Sequence, residues 1–151
     1  MKSIAPYLRK YAKDSDFQRG CSYLFLSMWE LGIDVCDWAE VDFDQDFHRF
    51  VSISKAESAF LNAFKTIETI VGEPSKDRTR QKLKARLQAR SIEPEAEVGY
   101  RHKANVIDKI LEYHALRDQI AAHGIGKVKR DLKLSEIIEL QSLARYLLLT
   151  R

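Results

Sequence analysis

Glycine and proline are scarce: the 151-residue chain holds six of the one and three of the other. A β-sandwich or barrel turns every 8–12 residues or so and relies on those residues to do it. The shortage argues against both and predicts long helices with few connections. Cysteine is scarcer still. Cys21 and Cys36 fit no metal or redox spacing, so the plain reading is two reduced, structural thiols, with no disulfide required.

Long apolar runs are also missing. The best candidate, Cys21–Trp29, is interrupted by Ser22 and Ser27 and falls well short of the roughly 20 residues a membrane helix needs. Pro6, Arg9, Lys10 and Lys13 occupy the stretch where a secretory signal would be apolar. The expectation is a cytoplasmic protein with no membrane partner.

What is present describes a globular domain. The apolar share is 45% and the charged share 31%, which suits a chain that buries a core and excludes a disordered one. The length matches a single domain over residues 1–151. The net charge of +3 is unevenly spread. Residues 1–72 carry 8 basic and 11 acidic side chains, whereas residues 73–151 carry 17 and 11. Asp34–Asp46 holds six acids and no base; Lys76–Arg90 holds seven bases and one acid. Such a basic stripe is either the electrostatic footprint of a nucleic-acid partner or a solvated helix face. Lys76, Arg78, Arg80, Lys82, Lys84, Arg86 and Arg90 are its candidate RNA contacts. The acidic segment is a candidate to meet it, within or between subunits.

The apolar periodicity predicts helices throughout. Ala5–Lys13 reads as a short amphipathic helix and Phe17–Leu31 as a second, closed by Gly32. Ile33–Glu40 reads as an irregular connection. From Asp42 to Gly72, Phe43, Phe47, Phe50, Phe60, Phe64, Ile67 and Val71 recur at helical spacing, with a break conceivable at Ser52–Ser54. Ser75 caps the basic helix, which runs to about Arg90 with Leu83 and Leu87 as its narrow apolar edge. Pro94 opens a further helix near Glu95, with a break at Gly99, and another spans Arg101–Ala122. Ser135 is the expected cap of the last helix, whose buried face is Ile138, Leu140, Leu143, Ala144 and Leu147.

The chemically distinctive segment is Arg117–Gly124, RDQIAAHG. A guanidinium offers a permanent planar fork to phosphate oxygens, an imidazole moves protons near neutral pH, and an adjacent carboxylate orients either. Arg117, Asp118 and His123 are the candidate catalytic residues, and His114, one turn earlier, is a candidate auxiliary. The bland reading is a surface Arg–Asp pair and a histidine favoured by the helix dipole. Six residues at about 100° each leave His123 about 120° from Arg117 around an ideal helix. The pair therefore shares a face only if the last turn distorts or if two copies meet across a two-fold axis. His48, His102, His114 and His123 form no ligand-spaced set, so no metal site or cofactor is expected.

RDQIAAHG resembles the motif of the HEPN superfamily, in which an Arg is followed by a polar residue and, four to six positions on, by a His in an AHG context. Arg117, Asp118 and His123 match it, with Asp118 where Asn is commonest. The resemblance covers roughly residues 43–150. It implies an all-α, up-and-down four-helix bundle over 42–150, with residues 1–41 as an N-terminal helical extension. It also implies a homodimer that brings two motifs into one cleft. The implied activity is metal-independent endoribonuclease cleavage leaving a 2′,3′-cyclic phosphate, in phage defence or opposite an antitoxin. Some members have lost activity and bind RNA or act as scaffolds. The alternative of another class is a non-catalytic helical dimerisation or interaction module.

Overall fold

The computed structural model describes residues 12–31, 51–72, 80–99, 103–123 and 132–150. Among them are five helices: α1 (Ser15–Leu31), α2 (Ile53–Val71), α3 (Arg80–Ala89), α4 (Val106–His123) and α5 (Leu134–Thr150). Two short strands, β1 (Glu97–Val98) and β2 (Ala104–Asn105), pair antiparallel, with Glu97 opposite Asn105 and Val98 opposite Ala104. The chain is thus mostly helical, as its composition predicts. None of the described helices is long and apolar enough to cross a membrane. The Ile33–Glu40 connection, the acidic Asp34–Asp46 segment, Lys76, Arg78 and most of the Ala5–Lys13 helix lie outside the described residues.

Local chemistry sets the ends of the helices. Asp14 caps α1: its Oδ1 accepts the amides of Asp16 and Phe17, each at 3.0 Å. Ser52 caps α2 by accepting the Lys55 amide, so α2 starts at Ile53. Residues 42–50 lie outside the described part. Gly72 closes α2 at φ +77°, a left-handed conformation that glycine adopts without a Cβ clash. Helix α3 ends with the Ile92 amide on the Leu87 carbonyl (2.9 Å) and the Ser91 amide on that of Gln88 (2.9 Å). Those two bonds form a Schellman closure in which Ser91, not glycine, occupies the left-handed position, at φ +58°.

Three expectations are corrected here. No helix begins near Glu95: Pro94–Ala96 turn into β1, and the helix expected from Arg101 starts only at Val106, after β2. The pairing of Glu97–Val98 with Ala104–Asn105 takes up the backbone groups that a helix would have used. Ser135 does not cap α5 but lies inside its first turn. Lys133 is the capping residue, its amide received by the Glu136 carboxylate at 3.0 Å, and the Glu136 amide bonds the Lys133 carbonyl.

The core joins α1, α2, α4 and α5, with Phe60, Phe64, Ile67, Ile70, Ile107, Ile110, Ile137, Leu140 and Leu147 fully buried. On α5 the inward residue is Ile137, not the expected Ile138, which lies about 100° round the helix and is 41% exposed. Gly20 marks the tightest crossing, because a Cβ there would stand 2.9 Å from both Leu148 Cδ2 and Thr69 Oγ1. Buried hydroxyls fasten the same crossing: Thr66 Oγ1 donates to the Gly20 carbonyl (3.1 Å) and Ser27 Oγ to that of Ala59 (2.6 Å). Gln141 Nε2 in turn donates to Ser27 Oγ (3.0 Å). Half-buried Cys21 sits on α1 beside this core, and burial raises its thiol pKa, which suits a structural thiol.

These contacts give the helix directions. Gly20 and Ser27 touch Thr66 and Ala59 on α2, and Leu148 and Gln141 on α5, so α1 runs against both. Phe60, Phe64 and Glu68 face Tyr113, His114 and Arg117 in step, so α2 and α4 run the same way. With α2, α4 and α5 pointing one way and α1 the other, the described helices depart from the strict alternation of an up-and-down bundle.

Candidate functional site

Arg117 lies in the second half of α4, where its neighbours along the chain and across the bundle are acids. Its Nη2 donates to Glu68 Oε1 of α2 at 3.1 Å and its Nη1 to Asp118 Oδ1 at 3.0 Å. The three side chains are partly covered, with exposures of 27% for Arg117, 16% for Glu68 and 28% for Asp118. Both bonds are charge-assisted, and together they fix the plane of a side chain that would otherwise sample many rotamers.

Beneath this pair lies His114. It is buried, its ring meets the edge of Phe64 at 5.9 Å, and its Nδ1 stands 3.7 Å from Asp118 Oδ2. The i, i+4 spacing puts His114 and Asp118 on one stripe of α4, so Asp118 is shared between Arg117 above and His114 below. Three of the four motif candidates, with His114 as the auxiliary, therefore come together with Glu68 as a chain of partners. The order runs Glu68, Arg117, Asp118, His114.

His123 is the last residue of α4, and the helix stays regular up to it. The distortion that would bring it round to the face of Arg117 does not occur before that point. Within one chain the two residues remain about 120° apart on the helix.

Three cations of the basic stripe, Arg80, Lys84 and Arg90, are paired with acids. Arg80 is ion-paired and hydrogen-bonded to Asp108 of α4. Lys84 Nζ meets Glu95 Oε1 at 3.2 Å, and Arg90 Nη2 approaches Asp16 Oδ2 of α1 at 3.8 Å. Lys82 is exposed, while Arg86 is half-buried with its guanidinium beside Gly72. Leu83 and Leu87 are the buried side of α3, as its narrow apolar edge predicts. The partners are largely wet, so these pairs stabilise little and leave the cations within reach of solvent.

Sequence reasoning missed Glu68. It stands 49 positions from Arg117, a separation that no local pattern reveals. The available signal was an acid set among Phe64, Ile67 and Val71, on the otherwise apolar face of α2. Among the described residues no three His, Cys, Asp or Glu side chains gather as a metal-ligand set. In comparisons with known proteins, no family model, no curated protein and no solved structure matches the chain.

Proposed function

We propose that the chain is a HEPN-like RNA-associated domain that acts as a metal-independent endoribonuclease. The observation that carries the reading is Arg117, a partly exposed guanidinium held in one orientation by Glu68 and Asp118, in the motif RDQIAAHG that ends in His123. A fixed fork of N–H donors suits the charge that builds on a phosphorane. In this mechanism the ribose 2′-oxygen attacks the adjacent phosphorus while the P–O5′ bond breaks. One histidine accepts the 2′-hydroxyl proton, and another proton reaches the departing 5′-oxygen. The products are a 2′,3′-cyclic phosphate and a 5′-hydroxyl end, and DNA is inert because it lacks the nucleophile.

The regular course of α4 to His123 supports a two-chain site. Arg117 and His123 occupy positions about 120° apart on one helix, and a two-fold axis near its end lets each copy complete the other. The same reading makes the basic Lys76–Arg90 stripe, of which α3 carries Arg80, Lys82, Lys84 and Arg86, a track for the RNA backbone. It also places the protein in the cytoplasm, in phage defence or opposite an antitoxin.

A second reading has its own observation. Both carboxylates on Arg117 draw its charge inward, and α1 exposes Phe25, Leu26, Met28 and Trp29. Those features suit a non-catalytic helical module that dimerises or docks a partner. Incubating the purified protein with 5′-labelled RNA, with and without EDTA, separates the two. Under the first reading, cyclic-phosphate ends form in both conditions, and His123→Ala loses about 10²–10⁴-fold in rate. Cleavage that needs a divalent ion, or that survives His123→Ala, overturns it. Binding without cleavage favours the second.

A further inference from the structure

A groove of about 710 Å³ opens between α4, α5 and the β1 end of the hairpin, away from the Arg117 chain. It arises because α4 packs on α2, and α5 packs on α1 and α2, which leaves the facing sides of α4 and α5 to be bridged by side chains. That volume falls within the range of pockets that enclose small organic ligands, roughly 300–1,000 Å³. Its walls are largely apolar or aromatic, formed by Val98, Ile138, Leu143 and Tyr146.

The floor is polar, with one ammonium set between two carboxylates. Lys109, only 4% exposed, holds its ammonium 3.4 Å from Glu139 Oε2 and 3.4 Å from Glu112 Oε2. Tyr113, 2% exposed, donates its hydroxyl to Glu139 Oε2 at 3.3 Å, and the Lys109 ammonium lies 5.7 Å from its ring centre. Burial first, and then the Glu139 and Glu112 carboxylates, raise the phenol pKa well above its ordinary value, so Tyr113 stays a neutral donor. Lys109 is already countered by two carboxylates. A ligand anion would gain little from it and would be desolvated beside Glu139 and Glu112. A ligand cation would compete with Lys109 for the same oxygens.

We infer that this groove binds an uncharged, mainly apolar organic molecule whose single hydrogen-bond acceptor is received by the third N–H of the Lys109 ammonium, beyond the two directed at Glu112 and Glu139. The apolar walls account for its body, and the rigid helices set its orientation. Helical positions hold such groups more closely than loops do. The inference is independent of whether Arg117 takes part in catalysis.

Two dyes of one skeleton test it. 6-propionyl-2-(dimethylamino)naphthalene is neutral with one carbonyl acceptor, and the same skeleton carrying a ring sulfonate adds an anion. The neutral dye is expected to bind saturably at one site per chain by fluorescence, and the sulfonate about tenfold or more weakly, because its charge must be desolvated. Ser142 lines the groove at its solvent-exposed edge, so Ser142→Trp should fill the space and abolish neutral-dye binding with an unchanged circular dichroism spectrum. Ile138→Glu, at the exposed wall, provides a second block if the first variant misfolds. Absence of saturable binding, sulfonate binding as tight as neutral binding, or neutral binding undiminished in the folded variants each overturns the inference. The last outcome would place the dye on another surface, such as the exposed Phe25–Trp29 face of α1.

Discussion

Glu68 and Arg117 join α2 to α4 by a 3.1 Å ion pair at the point where the apolar contacts of Phe60 and Phe64 with α4 give way to polar ones. The pair is partly buried and hydrogen-bonded, so it should be worth more than an exposed one. A double-mutant cycle with Glu68→Gln and Arg117→Gln is expected to give a coupling energy of about 1 kcal/mol in chemical denaturation. A coupling near zero would remove Glu68 from any role in holding Arg117.

The cations of α3 make a separate prediction. Arg80→Gln, Lys84→Gln and Arg86→Gln together remove three charges, and pairs as exposed as Arg80–Asp108 and Lys84–Glu95 cost the fold little when broken. The triple variant should therefore unfold within a few degrees of the parent. If these cations meet RNA, the slope of log affinity against log salt should become shallower by about 2, at roughly 0.7 per phosphate contact on single strands. An unchanged slope would return the stripe to the role of a solvated face.

Ser91 is exposed and sits at φ +58°, a conformation that costs an L-residue on the order of 1 kcal/mol and costs glycine almost nothing. Ser91→Gly is expected to raise the denaturation midpoint by an amount that corresponds to about 0.5–1 kcal/mol. A lower midpoint would mean that the Ser91 side chain itself holds the turn.

Tyr113 predicts how stability responds to alkali. Its phenol is neutral and buried in the folded chain, with a pKa raised above the ordinary value of about 10. Below pH 10 the folded and unfolded phenols are both protonated, and stability is unaffected by this group. Above it the unfolded phenol releases its proton first, so stability should fall as pH rises. Urea midpoints between pH 8 and 11 should show a steeper decline for the parent than for Tyr113→Phe; equal slopes would refute the assignment.

The parts that were legible in the sequence are those governed by neighbours in the chain. Apolar spacing located α1 and α2, and Gly72 marked the end of the latter, whereas its start at Ser52 was read only as a conceivable break in a helix from Asp42. The narrow Leu83–Leu87 edge identified the wet helix α3. The failures share a cause: each depends on a partner that is distant or competing. Pro94–Glu95 has the local chemistry of a helix start, yet the backbone of residues 97–98 pairs with 104–105 instead. Ser135 is a good capping residue, but the Glu136 carboxylate on the Lys133 amide sets the start of α5 two residues earlier. At the candidate site the sequence supplied Arg117, Asp118 and His114, whereas Glu68 became visible only when α2 and α4 were laid side by side.

The hairpin governs more than a turn. The amides of Val106 and Ile107, which open α4, bond the carbonyls of Ala96 (2.9 Å) and Pro94 (3.1 Å). The first turn of this helix is thus closed by main chain that precedes β1, where α1 and α2 use the side chains of Asp14 and Ser52. Fraying, the usual way a helix loses its first protons to heavy water, is unavailable to those two amides unless the 94–105 segment lifts off as well. Their exchange should follow the opening rate of the hairpin, and both should trade protons for deuterons in step with Val98 and Ala104.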